Sequence, residues 1–441
     1  MNATSPTPSS YWFVAVRPRL LGRCHCSDSA MTRFLQALLV LVALTGCTAP
    51  TIEPELKGPQ AVGVSTDAPK DPVGIMLGWT PDQTITNFKH LDQLFPVRTV
   101  PHGSPVLDLP SGEAIDPIVA LDGRRLTVDQ LMDEYRVTGV IALHHGRIVL
   151  ERYAHDRTAQ DRWFSASVAK TITSTLIGAA IRDHLIGSVD DPITRYIPEL
   201  KSVPAFDGVT LRHLMSMSSG LRFHDSTADP TSDLGLTDGG EIIDGRPPIV
   251  SYAMKLERAH PPGAVKEYQT IDADLVGIAL SRVLKGRTVS DYLSEKIWRP
   301  AGMEADANWV LDKTGIERGG CCISATLRDY ARFGLYIAKG DAGPAGAVLP
   351  ADWIPAARTP VWRATDGGSG YGWFWSVRQD GGYEAVGAYG QSVTIYPKDD
   401  VVIAVNAASR DPRGFGIARW RLLQALDAAA VGGADPNEER K

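Results

Sequence analysis

The sequence predicts an α+β fold: an antiparallel sheet flanked by helices, with a largely helical second lobe. Strand patterns stand near both ends of the patterned text, helical patterns fill its middle, and turn residues punctuate the C-terminal strands. Strands so far apart in the chain can share one sheet, which leaves the helical middle to form the other lobe. A site between the lobes would draw on both.

The elements follow in order. "LTVDQLMDEYRVTG", Leu126 to Gly139, has helical spacing at Leu126, Leu131 and Tyr135. "VIALHHGRIVLERYAHD" reads as two strands around a His145-Gly146 turn, with His144 and His145 solvated at the hairpin rather than ligands. A helix opens at Ser167, where Val168, Ile172, Leu176 and Ala179/Ala180 recur at helical spacing among small residues, the mark of a helix buried on several sides. "LRHLMSMSSGL", "DADLVGIALSRVL", "VSDYLSEKIWRPAGM" and "SATLRDYARFGLYIAKG" continue the helical middle. His224 to Pro248 is a long polar excursion rich in Gly, Asp and Pro, of the length that lines or covers a site. "GYGWFWSVRQ", "GYEAVGAYGQSVTIYPKDD" and "VVIAVNAAS" are successive strands, and "GIARWRLLQALDAAAV" is a final amphipathic helix.

What precedes this text reads as address and tether. "MTRFLQALLVLVALTGC" places Arg33 behind Met31, an apolar run from Phe34 to Leu44, and small residues before Cys47. That is a signal-peptide pattern, too short for a comfortable membrane span. "LTGC" resembles the lipobox of bacterial lipoproteins, which implies a lipid on Cys47, Met31 as a candidate start, and a place on the extracytoplasmic side of the membrane. Thr48 after the cysteine favours the outer membrane, facing the periplasm, in a Gram-negative source. The expected organisation is a leader over 1–46, a tether over 47–72, an N-terminal extension without clear period over 73–115, one enzyme domain over 116–430 and a disordered tail over 431–441.

Composition narrows the function. The chain has 441 residues, 44% hydrophobic and 22% charged, as in ordinary globular proteins. Net charge is −6; the first 46 residues hold +3, so the remainder holds −9. An acidic body argues against nucleic-acid binding, which needs a basic stripe. Past Cys47 only Cys321 and Cys322 remain. Adjacent cysteines rarely bridge, so two small buried residues and no disulfide framework are expected. No CxxC or HExxH occurs, and neither a metal nor an organic cofactor is expected.

The chemistry centres on "RWFSASVAKTIT". Ser167 and Lys170 are three apart and share a helix face. At a first turn, free N–H groups and the helix dipole favour negative charge on a serine oxygen. A lysine one turn on reaches that oxygen, and acts as base when burial keeps it neutral. The spacing alone is weak. The flanking text is not: "FSASVAKTITSTLIGAAI", "SVDDPITRYIPEL", "VTLRHLMSMSSGL", "PPGAVKEYQTIDADLVGIAL" and "SATLRDYARFGLYIAKG" follow one another in the order of the serine β-lactamase and penicillin-binding-protein superfamily, class C-like branch. The chain resembles that superfamily over Leu126 to Ala428, nearest to the aminohexanoate-dimer (nylon-oligomer) hydrolases and related esterases.

The resemblance implies a β-lactamase-like fold, Ser167 as acylated nucleophile and Lys170 as its base. The family's Tyr-x-Asn motif falls on Tyr268-Gln269-Thr270, which implies proton relay by Tyr268 and puts Thr270 where asparagine is usual. The third motif falls on "GAYGQ": Ala388 replaces the basic residue, Tyr389 the small hydroxyl residue, and Gly390 fits. Tyr389 and Gly390 would meet substrate, and the backbone N–H groups of Ser167 and Gln391 would form the oxyanion hole. Without a basic anchor for a substrate carboxylate, β-lactamase or D-Ala-D-Ala carboxypeptidase activity is the alternative rather than the first reading, which is ester or amide hydrolysis. A non-catalytic binding lipoprotein has no reason to keep Ser167, Lys170 and Tyr268 together. No G-x-S-x-G supports a Ser-His-Asp hydrolase; His213 and His260 read as packed or surface residues, and Asp183, Asp190 and Asp191 as loop caps. The expected partners are a small ester or amide and a membrane reached through Cys47, with no nucleic acid and a monomer or weak oligomer.

Overall fold

The computed structural model describes residues 79–226, 229, 231–340, 347–365, 369–411 and 414–433. The leader, Cys47, the tether and most of the expected tail lie outside them.

The main sheet has eight antiparallel strands, ordered Arg147–Tyr153, Val137–His144, Val401–Ala407, Ser392–Tyr396, Tyr383–Val386, Ser376–Val377, Gly370–Tyr371 and Trp362–Arg363. The two ends of the sequence meet in it, with Val401 opposite His144 and Val405 opposite Val140. The first hairpin turns on two left-handed residues, His145 at φ 50° and Gly146 at φ 73°, the conformation that matches strand twist in a two-residue loop. His144 and His145 stack at 4.0 Å, and His145 Nδ1 lies 2.8 Å from Asp400.

Period-2 alternation sorts the sheet into two faces. Ile141, Leu143, Val393, Ile395, Val402 and Ala404 join the large core shared with the helical lobe. Val140, Ala142, Val401, Ile403 and Val405 point the other way, onto the helices Val128–Tyr135 and Gly414–Ala430. Buried on both faces, these strands read as apolar runs rather than as half-polar ones. The helix Val168–Arg182 is buried from Val168 to Ala180 and packs beside Thr270–Val283 at the centre of the helical lobe.

Two local readings change. The 126–139 segment is not one helix. Leu126 lies in a short strand, Arg124–Thr127, and the helix begins at Val128 because Thr127 and Gln130 form a reciprocal capping box; Arg136 in the left-handed region ends it. The region before residue 116 is also more ordered than its lack of period indicates. Thr80 and Gln83 cap a helix, Pro81–Lys89, and Val97–Val100 is the edge strand of a second sheet, followed by Ala307–Val310, Ile323–Ala325 and Trp163–Phe164. Phe88, fully buried, stands 5.7 Å from Trp163, 4.6 Å from Phe164 and 5.0 Å from Tyr389 between ring centroids.

Gly390 closes the turn between Tyr383–Val386 and Ser392–Tyr396 at φ 98°, and a Cβ there would lie 1.9 Å from Phe415 Cε1. Gly390→Ala is therefore expected to lose about 1–3 kcal/mol of stability. Chemical denaturation measures this, and an unchanged midpoint contradicts the packing described.

Candidate active site

The strand Trp163–Phe164 delivers the Ser167 turn. Trp163 is held between Phe88 and the Arg157 guanidinium, 4.9 Å from its ring, and its Nε1 donates to Gln391 Oε1 at 3.1 Å. Ser165 N donates to Ile323 O at 2.8 Å, and Ile323 N donates to Ser165 Oγ at 2.9 Å. Ala166 then turns the chain at φ 44°, a left-handed conformation that a non-glycine residue holds only where its surroundings force it. Ser167 follows as the N-cap of its helix, at the end with open N–H groups.

Lys170, 2% exposed, lies one turn into that helix. Its Nζ is 2.9 Å from Ser167 Oγ, 2.7 Å from Gly320 O and 3.4 Å from Thr270 Oγ1, and 5.1 Å from the centroid of the Tyr268 ring. An ammonium places its three protons on those three oxygens. With one proton gone, the Ser167 contact reverses, and the hydroxyl donates to the amine. The structure thus brings Ser167, Lys170 and Tyr268 into one cluster and adds Thr270 and Gly320.

Gly320 is fixed in turn. Its N–H donates to Asp274 Oδ1 at 2.8 Å, and Asp274 is ion-paired with Arg318 at 3.0 Å, both nearly buried. A Cβ on Gly320 would stand 2.7 Å from Thr270 Cγ2, so a side chain there would push the two segments apart. Cys321 and Cys322 come next, and here the expectation is corrected. Both are buried as foreseen, but they are joined to each other in a disulfide. Cys322 at φ 86° lets the adjacent pair close, a backbone conformation that sequence spacing does not reveal.

Thr270 opens the helix Thr270–Val283, and its N–H donates to Asp225 Oδ2. Gln269 is turned away, its Nε2 donating to Leu221 O at 2.8 Å. Sequence reasoning did not single out Asp225; its one signal was membership of the polar excursion after His224. Burial pushes its carboxyl up to about 6, against the opposing pull of Lys170 and of the Thr270 donors.

The "GAYGQ" segment meets the Ser167 turn through Gly387. A Cβ there would lie 2.6 Å from Ser165 O and 3.0 Å from Ser167 N, so only glycine allows this approach. Ala388–Gly390 forms one 3-10 turn, with Tyr389 at φ 60°. Tyr389 packs its ring on Phe88, and burial pushes its hydroxyl up to about 12. Gln391 is fully buried. Its N–H points back toward Ala388 O at 3.5 Å, and its amide grips Ala407 in both directions, Nε2 to O at 2.6 Å and Oε1 from N at 3.1 Å. Gly387 stands against the Ser167 turn.

The set-aside residues have local work. His213 completes the capping box of Leu211–Met215, and His260 lies 3.7 Å from Glu267. Asp190 pairs with Arg212 at 2.6 Å, Asp191 accepts from Gly187 N and Ser188 N, and Asp183 accepts from Tyr292 at 2.9 Å. Among the described residues no group of three or more His, Cys, Asp or Glu side chains is placed to hold a metal ion.

Comparison with known proteins agrees with this architecture. The Beta-lactamase family model matches residues 125–428. A 6-aminohexanoate-dimer hydrolase of Paenarthrobacter ureafaciens is 25% identical over 357 residues, covering 77% of this chain and 88% of that protein. A structure from Bacillus anthracis assigned as a 6-aminohexanoate-dimer hydrolase superposes with a TM-score of 0.68 at 22% identity, over 78% of this chain and 93% of its own. EstCE1, a hydrolase with promiscuous acyltransferase activity, superposes with a TM-score of 0.53 at 18% identity, over 69% of this chain and 96% of its own. The two structural likenesses speak for the fold; with the match over 125–428, the chain belongs to the Beta-lactamase family, as a β-lactamase-fold hydrolase related to 6-aminohexanoate-dimer hydrolase.

Proposed function

We propose that the protein cleaves an ester or amide through a covalent acyl-Ser167 intermediate, in the manner of 6-aminohexanoate-dimer hydrolases and esterases. The observation that carries this is the 2.9 Å contact between Lys170 Nζ and Ser167 Oγ inside a buried cluster. Neutral Lys170 takes the Ser167 proton as Oγ adds to the carbonyl carbon. The oxyanion is held by the N–H groups of Ser167 and Gln391, on the stretch of backbone that Gly387 brings against the Ser167 amide. As the carbonyl–heteroatom bond breaks, the proton passes from Lys170 by way of Tyr268 to the leaving group. Water then adds to the acyl carbon, gives a proton back through the same pair, and releases the acid with Ser167 restored.

Ala388 stands where the superfamily carries a cation, which disfavours substrates that need a carboxylate anchor there. That places β-lactam and D-Ala-D-Ala cleavage behind neutral esters and amides. We further propose that Cys47 carries a lipid and holds the enzyme on the extracytoplasmic membrane surface, because the apolar run, the small residues and the cysteine coincide in spacing.

Ser167→Ala and Lys170→Ala should each lower p-nitrophenyl ester turnover by about 10³-fold or more, and Tyr268→Phe by about 10²-fold. A fluorophosphonate probe should label the wild type and not Ser167→Ala. Absence of both labelling and turnover in the wild type would sink the acyl-enzyme reading, and fast labelling and release of a fluorescent penicillin would restore the β-lactamase reading. Cys47→Ala should move the protein from the membrane to the soluble fraction; an unchanged distribution contradicts the anchor.

A further inference from the structure

Thr270 occupies the position at which the superfamily carries asparagine, and behind it lies a carboxyl that the proposed mechanism does not use. Asp225 Oδ2 accepts from the Thr270 N–H, its Oδ1 is closed off from solvent, and the Thr270 hydroxyl acts on the same carboxyl while taking a contact from Lys170 Nζ at 3.4 Å. One residue, Thr270, thus joins Asp225 to Lys170.

We propose that Asp225 is a positioning residue of the Ser167–Lys170 centre: it caps the first turn of Thr270–Val283, fixes the hydroxyl on which Lys170 rests, and sets through its charge the pH at which Lys170 becomes a base. The inference rests on the acyl-Ser167 reading and deepens it.

The surroundings leave this charge in command. Lys170, on the Ser167 helix, is the cation acting on Asp225. Asp274, on the Thr270 helix, also faces it, but Arg318 offsets that charge at 3.0 Å. Asp272, on the same helix, is fully buried, and burial pushes its carboxyl well above the usual range, with Asp225 adding to the rise. Glu267, on the preceding loop, acts on Asp272. On the segment of Asp225 itself, the His224 N–H is held by Asp233, and the His224 ring lies 3.8 Å from Asp229.

The sign follows from charge alone. An ionised Asp225 favours the Lys170 ammonium, and the ammonium cannot take a proton from Ser167. Above about pH 6, where Asp225 ionises, it therefore delays the onset of activity to higher pH and keeps the resting lysine in its three-contact position. Neutral replacements that still accept from the Thr270 N–H separate charge from geometry.

The experiment is the rate of fluorophosphonate labelling of Ser167 against pH, in wild type, Asp225→Asn, Asp225→Ser and Asp225→Glu, each checked by its thermal melt. Both neutral variants should move the midpoint of the acid limb down by about one pH unit, so that labelling at the acid end, relative to its plateau, rises about tenfold. Asp225→Glu should keep the wild-type midpoint. A lower plateau with an unmoved midpoint means a structural cap only and overturns the inference, as does an upward shift. Two neutral variants keep the test open should one fail to fold. A wild type that is not labelled at Ser167 refutes the acyl-enzyme reading instead, so the two failures are distinct.

Discussion

A buried lysine needs an acceptor for each proton it carries, and Lys170 takes its three from three separate parts of the chain. Ser167 is three residues away, Thr270 is 100 away, and Gly320 is 150 away. An unmatched ammonium in such a place carries a large desolvation penalty, whereas a matched one that gives up a proton leaves a lone pair aimed at Ser167. The arrangement holds only while the Ser167 helix, the Thr270 helix and the Gly320 segment keep their mutual positions. Much of the fold serves that condition.

The small sheet ties Ile323 to Ser165, and so places Gly320 and the Ser167 turn on one frame. Asp274, on the Thr270 helix and held by Arg318, pins the Gly320 N–H. The main sheet brings Gly387 against the back of the turn, while Gln391 clamps Ala407 and Trp163 behind it. From the N-terminal side, Phe88 wedges against Trp163, Phe164 and Tyr389. Single residues do paired duties here: Thr270 starts a helix and receives Lys170, and Gly320 offers its carbonyl to Lys170 and its amide to Asp274.

Local patterns in the sequence carried the helix after Ser167, the hairpin at His145-Gly146 and the C-terminal strands, because each rests on periodicity and turn residues a few positions apart. The pairing of Ser167 with Lys170 was legible for the same reason, and motif order located Tyr268. What bridges distant segments left no local mark. Nothing near Gly320 says that its carbonyl meets a lysine, nothing near Asp225 says that it caps a helix 45 residues on, and the closure of Cys321 on Cys322 depends on one left-handed residue. Leu126 misled for a different reason, since a capping box at Thr127 outranks apolar spacing in fixing where the helix begins. Gln391 lies in the segment that Gly387 brings to the Ser167 turn, and its N–H points back toward Ala388 O.

The central claim is that bond exchange passes through Ser167 with Lys170 as the proton acceptor. Its most direct measurement is intact mass spectrometry of acid-quenched protein during turnover of a p-nitrophenyl ester, followed by peptide mapping. The account predicts one acyl group per chain, carried by the peptide containing Ser167 and accumulating in wild type but not in Lys170→Ala. Steady turnover with no adduct, or with the acyl group on another residue, would contradict it.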